Sequence, residues 1–175
     1  MKLFLLAVAV MMHVSAFAQS DYEVSKDKEN GAVVYKGQVT FEDLRKEPSF
    51  NWLQRGETAY KPDTAAIRFL KQYLPNYEMV VVFGTWCDDS HILVPKLSKV
   101  MQVAGYPMAK LSMYGADRAK QTKNIEHKLY RIERVPTIIL YQNHVEIGRI
   151  VESVNKSIEE DLAVIIQKQL DAEKK

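Results

Sequence analysis

The chain has 175 residues, of which 47% are apolar and 26% charged, with a formal net charge of +2. That is enough apolar material for one domain with a core and too little for two ordinary ones, and the charge balance is too even for a general nucleic-acid binder. Seven glycines and six prolines exclude a collagenous or low-complexity chain, and a single cysteine excludes an internal disulfide or a Cys-pair zinc site within a monomer.

Residues 1–18 read as a secretory signal peptide. Lys2 supplies a positive start, Leu3 to Met12 is an apolar run, and Ala16-Phe17-Ala18 is a cleavage pattern that predicts Gln19 as the mature N-terminus. The alternative is an uncleaved anchor, but the run is shorter than the roughly 20 residues that span a bilayer. No later segment is long enough to cross a membrane. The expected location is therefore outside the cytoplasm, in the periplasm or secreted. Oxidising compartments favour paired cysteines, so a lone exported thiol has to be buried or used. That draws attention to Cys87.

Residues 19–62 read as an N-terminal extension. Gln19 to Asn30 is polar and suggests a flexible lead-in. Val33 to Val39 suggests a short strand interrupted at Gly37. Thr40-Phe41-Glu42-Asp43 has the pattern of a capped helix start, ending near Pro48. Phe50, Trp52 and Tyr60 form an aromatic connector expected to cover the main domain, with a lining role for Trp52 in a groove as the alternative.

Residues 63–175 carry the main pattern. Pro62-Asp63-Thr64 opens a helix with Ile67, Leu70 and Leu74 on one face. Met79 to Phe83 is a continuous apolar, β-branched run, as in a strand buried on both faces. Gly84-Thr85-Trp86-Cys87 follows, then a helix from about Asp88 to Val103 with Ile92, Leu93, Leu97, Val100 and Met101 inward. A second strand is expected over Met108–Met113, a polar helix over Lys120–Tyr130, and a third strand over Thr137–Tyr141. Asn143-His144 is a two-residue turn into Val145–Ile150, and Ser157-x-x-Glu160 opens the last helix. A parallel βαβ half followed by a ββα half implies one mixed sheet with helices on both faces.

The stretch from Val81 through Trp86-Cys87-Asp88-Asp89-Ser90 resembles the active-site strand and turn of thioredoxin-like proteins. Pro95 falls where that family's long helix often carries a proline, Ala109-Lys110-Leu111 is similar to its central strand, and Arg134-Val135-Pro136-Thr137 to its cis-proline loop. The wording is most like exported bacterial members with a G-T-W-C-x-D-S turn. The resemblance covers about residues 63–170. It implies a thioredoxin-like three-layer α/β/α fold with a mixed central sheet. It also implies that Cys87 attacks, while Trp86, Val135 and Pro136 flank the substrate.

The departures matter as much. The redox version of the family has C-x-x-C, whereas this chain has Cys87-x-x-Ser90, and a serine cannot resolve a mixed disulfide. The buried acid common on the active-site strand is replaced by Val81. Ser90 is either a hydrogen-bond donor to a Cys87 thiolate or small filler. The helix start and a protonated His91 favour thiolate, while Asp88 and Asp89 oppose it. The balance suggests an ordinary thiol. The bland alternatives are an inert Cys87, a Trp86 that packs beside the site without clamping substrate, first-turn acids that merely suit a helix start, and a surface His91.

The histidines show no ligand spacing, so no metal and no cofactor is expected. The expected partners are cysteine-containing proteins, or a redox partner that supplies a second thiol. Two functions are consistent with the site. One is monothiol exchange or isomerisation on envelope proteins. The other is a redox-inactive binding or chaperone-like module.

Overall fold

The computed structural model describes residues 21–174, so the expected signal peptide lies outside the described residues. Six strands form one mixed sheet in the order β1-β2-β4-β3-β5-β6. The strands are β1 (Tyr22–Lys26), β2 (Val33–Gln38), β3 (Glu78–Phe83), β4 (Leu111–Gly115), β5 (Thr137–Gln142) and β6 (Val145–Val151). The helices are α1 (Phe41–Lys46), α2 (Asn51–Ala59), α3 (Thr64–Tyr73), α4 (Asp88–Ala104), α5 (Glu126–Leu129) and α6 (Ile158–Glu173).

β3 is the axis of the molecule. It pairs parallel with β4, through the crossover α4, and antiparallel with β5. Its side chains alternate between two cores. Met79, Val81 and Phe83 join the larger core, which also holds side chains from α1, α2, α3, α4 and α6. Val80 and Val82 face a smaller cluster with Ala116, Val135 and Ile139. The fold is therefore α/β with three layers of unequal weight. Five helices cover one face of the sheet, and the segment around residues 116–135, with the one-turn α5, covers the other.

Residues 21–62 are part of this body. β1 and β2 form an antiparallel hairpin, from Tyr22 opposite Gly37 to Lys26 opposite Val33. The expected flexible lead-in is thus corrected to an edge strand. Its side chains are mostly exposed, so it is held by backbone pairing that side-chain polarity does not reveal. β2 continues into the sheet through Gly37 opposite Gly115. A Cβ on Gly115 would lie 2.0 Å from the Tyr35 carbonyl oxygen, so only glycine permits this approach.

Thr40 caps α1 in a full capping box with Asp43, as the sequence pattern predicts. The aromatic connector is not extended, because a short 3₁₀ turn at Pro48–Phe50 leads directly into α2. It does cover the domain as expected, burying Phe50, Trp52 and Leu53. α2 lies close on α4, where a Cβ on Gly56 would meet the Pro95 ring at 2.5 Å.

Three further expectations shift. Ile92 is 55% exposed, because the inward stripe of α4 runs through Leu93, Val94, Leu97, Val100, Met101 and Ala104. The second strand starts at Leu111 and runs to Gly115, with a 3₁₀ turn over Met108–Lys110. Of the helix expected over 120–130, only Glu126–Leu129 forms, and Ile125 and Leu129 stay exposed. Two apolar residues without a packing surface do not sustain a helix. The Asn143-His144 turn is as expected, with both residues at positive φ (50° and 64°), which suits a two-residue hairpin.

Gly115→Ala is expected to destabilise the protein by at least the ~1–3 kcal/mol typical of overpacking, since the contact is with backbone and cannot relax by rotation. Urea unfolding measures this, and an unchanged midpoint would contradict the close approach. Burial pushes the Tyr35 phenol up to about 12. Between pH 10 and 12 the native state then keeps a proton that the unfolded chain loses, so stability is complete below about 10 and falls as pH rises through about 12. Tyr35→Phe is expected to flatten the fall of the thermal midpoint over that window.

Candidate active site

The turn that leaves β3 is organised by its small and polar residues. Cys87 is the N-cap of α4, with extended backbone (φ −100°, ψ 125°), and its side chain makes no capping bond. Its N–H donates to Gly84 O at 3.1 Å, and its carbonyl accepts the His91 N–H at 3.0 Å. The thiol therefore stands beside the first-turn N–H groups, at the positive end of a 17-residue helix. It is half-buried against the smaller core.

Across from it, the Val135–Pro136 peptide bond is cis, and both residues are buried. The Cys87 thiol donates to the Val135 carbonyl at 3.5 Å. Residues from the end of β3 and the start of β5, far apart in sequence, thus meet at one corner.

Ser90 is fully buried, and its Oγ accepts the Gly84 N–H at 3.2 Å. The hydrogen bond found for Ser90 is thus with the strand end, not with Cys87. It ties the first turn of α4 to β3. Asp88 and Asp89 are exposed. His91 turns its ring back under the turn. Its Nε2 lies 2.8 Å from Thr85 O, and since a carbonyl only accepts, Nε2 carries the proton. The ring stacks on Trp52 at 4.5 Å, and Nδ1 is 3.9 Å from Asp88. Trp52 does line a groove between α2 and α4, with Tyr60, Ile92 and Lys96.

Two contributors escape sequence reasoning. Thr85 is buried; its Oγ1 donates to Val33 O at 2.8 Å and accepts the Tyr35 N–H at 3.1 Å. One hydroxyl thereby completes the backbone bonding of β2 beside the turn. The second is Arg118. Its guanidinium lies 4.7 Å over the Trp86 ring, and Trp86 Nε1 donates to Ala116 O at 2.8 Å. Gly84 leaves room for the ring, since a Cβ there would sit 2.7 Å from it. Arg118 is held by the β1–β2 turn: Nε donates to Asp27 at 2.7 Å and a terminal nitrogen to Glu29 at 2.9 Å. The Arg118 hydrogen bond holds the Asp27 carboxyl below its usual range. No local motif announces this triad, because its members are brought together only by the hairpin. Among the described residues, no group of three or more His, Cys, Asp or Glu side chains is placed to hold a metal ion.

No protein-family model matches the chain, and no curated protein matches it. Solved structures similar to it include an HIV epitope-scaffold (17% identity, 67% of this chain and 81% of that one, TM-score 0.49). A protein of unknown function from Pseudomonas aeruginosa is 19% identical over 69% of this chain and 72% of that one, with a TM-score of 0.45. Mitochondrial thioredoxin 3 from Saccharomyces cerevisiae is 19% identical over 65% of this chain and 98% of that one, with a TM-score of 0.37. Likeness at this level carries nothing about activity. The class follows from the architecture itself: a βαβ unit and a ββα unit share one sheet, with a cysteine at the crossover-helix start facing a cis-proline. That is a thioredoxin-like fold.

Thr85→Val is expected to leave the Tyr35 N–H and one bond of Val33 O unmatched beside the turn, costing about 1–3 kcal/mol. Urea denaturation checks it; a loss below about 0.5 kcal/mol would mean that the bridge is dispensable.

Proposed function

We propose that this protein is exported and acts through a single thiol in thiol-disulfide exchange on envelope proteins. The observation that carries the reading is the placement of Cys87: half-buried at a helix start, against the cis-proline loop, with a buried serine three residues on. A helix start favours thiolate, the form that attacks. The N-terminal pattern of Lys2, the apolar run and Ala16-Phe17-Ala18 supports export, with the periplasm as the favoured compartment.

The chemistry is half of the usual cycle. The Cys87 thiolate attacks one sulfur of a substrate disulfide. A Cys87–substrate disulfide forms, and the other substrate sulfur leaves as a thiolate. Ser90 offers no thiol to attack that bond. A second thiolate, from the substrate or from another protein, attacks the substrate sulfur of the mixed disulfide, and Cys87 leaves as a thiolate. When the thiol comes from the substrate, the net result is isomerisation and no electrons are transferred. When it comes from a partner dithiol, a partner–substrate disulfide forms first; the partner's second thiolate then attacks the partner sulfur of that bond and releases the substrate thiolate, so the partner is oxidised and the substrate reduced. Trp86, Val135 and Pro136 form the wall against which the substrate chain is held.

A second reading is a binding module without redox chemistry, whose contact surface includes the groove between α2 and α4 on the His91 side of that corner. The groove between α2 and α4, with Trp52 on its floor and Ile92 exposed at its edge, favours it.

Trapping separates the two. Incubated with oxidised envelope extract, the mature chain is expected to form mixed disulfides that vanish in Cys87→Ala. Partners retained equally by both versions would favour the binding module. In a separate assay with the prereduced chain and no added dithiol, insulin reduction should be nearly silent for the native chain and rise in Ser90→Cys. Robust native turnover would contradict the single-thiol mechanism.

A further inference from the structure

Arg118 has a position that the exchange chemistry has not used. It sits over the ring of Trp86, the residue before Cys87, and its charge is shared with two carboxylates of the β1–β2 turn. The Asp27 side chain is only 5% exposed, and its two oxygens take Nε at 2.7 Å and Nη2 at 3.1 Å. Glu29 takes Nη1 at 2.9 Å. We propose that Arg118 is a positioning residue that sets the reactivity of Cys87, and that the N-terminal hairpin tunes it by partly neutralising Arg118 through Asp27 and Glu29. This deepens the exchange reading of the site and rests on it.

The action proposed for Arg118 is through its electrostatic field and not through contact with the thiol. The guanidinium is clamped on three sides: by the Trp86 face, by Asp27 and by Glu29. A clamped charge exerts a steady field at the thiol, which a mobile side chain would not. The other charged groups on the elements that form this corner are of mixed sign. Asp88 and Asp89 stand in the first turn of α4, and Asp88 lies toward His91. Asp117 is bonded to Lys36 at 2.7 Å, and Arg134 on the proline loop is paired with Glu152 at 2.8 Å. Through its stack on Trp86, Arg118 is a cation held at the Cys87 turn, opposite in sign to the two first-turn aspartates. Consistent with this, its guanidinium is held above its usual range chiefly by the Asp27 hydrogen bond, with Glu29 and Cys87 acting in the same direction.

The proposal predicts opposite effects from partners in one ion pair. Arg118→Gln removes the cation and disfavours thiolate. Asp27→Asn removes the offsetting anion and favours it. Asn keeps an oxygen for the Glu29 and Asn30 N–H groups that Asp27 Oδ1 now accepts, so the turn is preserved; its amide NH2 cannot accept the Arg118 Nε–H, so that bond is lost and Glu29 holds the guanidinium. A merely structural salt bridge would give both variants the same sign.

The experiment is the pH profile of Cys87 alkylation by iodoacetamide on the mature full chain, at low and high salt. The midpoint is expected to rise by roughly 0.2–0.7 pH unit in Arg118→Gln, about a 1.6- to fivefold loss of thiolate at fixed pH below it. It should fall in Asp27→Asn, rise in Arg118→Lys by less than in Arg118→Gln because the charge is kept but the fork is lost, and move less at high salt. Glu29→Gln, at a more exposed site, gives a smaller downward shift and serves if Asp27→Asn fails to fold. Shifts of the same sign in the arginine and carboxylate variants, a change in plateau rate alone, or an unmoved midpoint in folded Arg118→Gln would overturn the proposal. Alkylation needs no disulfide substrate, so this outcome stands apart from that of the trapping experiment.

Discussion

Burial of β3 on both faces is the constraint from which the rest follows. Met79, Val81 and Phe83 on one side and Val80 and Val82 on the other are nearly or wholly removed from solvent. At about 1.5–3 kcal/mol per fully buried side chain, these five residues contribute on the order of the whole net stability of a domain. Such a strand can lie only in the middle of a sheet with both faces covered. Its C-terminal end therefore emerges at a defined point, and that point is the turn bearing Trp86 and Cys87.

The site is a corner where four segments meet under different forces. Helix α4 is anchored by its apolar stripe and by the Ser90 bond to Gly84. The proline loop is fixed by the burial of Val135 and Pro136. The β1–β2 hairpin is joined to the turn by the Thr85 bridge to Val33 and Tyr35 and by the Arg118 ion pairs. Helix α2 closes the fourth side with the Trp52–His91 stack. The extension before residue 63 is in this sense a wall of the site: it supplies the carboxylates around Arg118 and the aromatic ring under His91.

These contacts also sort the polar groups into those that hold and those that remain free to act. Ser90 Oγ accepts the Gly84 N–H, and the Thr85 hydroxyl and the His91 Nε2–H donate to backbone carbonyls. Among the described residues, no buried side-chain nitrogen or oxygen is left without a partner. The thiol of Cys87, with a single weak bond to Val135 O, is the reactive group left least encumbered.

Much of this was legible along the chain because the signals are local and periodic. The β3 run, the α3 face, the caps at Thr40 and Ser157 and the Asn143-His144 turn each depend on a few neighbouring residues, and the structure has them where expected. The Trp86-Cys87 turn and the Val135-Pro136 loop were legible as separate motifs. What failed depends on packing partners. β1 is a polar strand held by its neighbour's backbone, Ile92 is apolar but off the buried stripe, and the 120–130 segment has apolar residues with nothing to pack on. Ser90, Thr85, Asp27 and Arg118 could not be assigned their partners from sequence, since those partners are set by three-dimensional closure. The sequence by itself determined one thiol, one serine where a second thiol would stand, and the central strand that places them. Only the tertiary structure decided which charges and hydroxyls surround that thiol, because long-range ion pairs and backbone bridges exist only once the hairpin has closed on the turn.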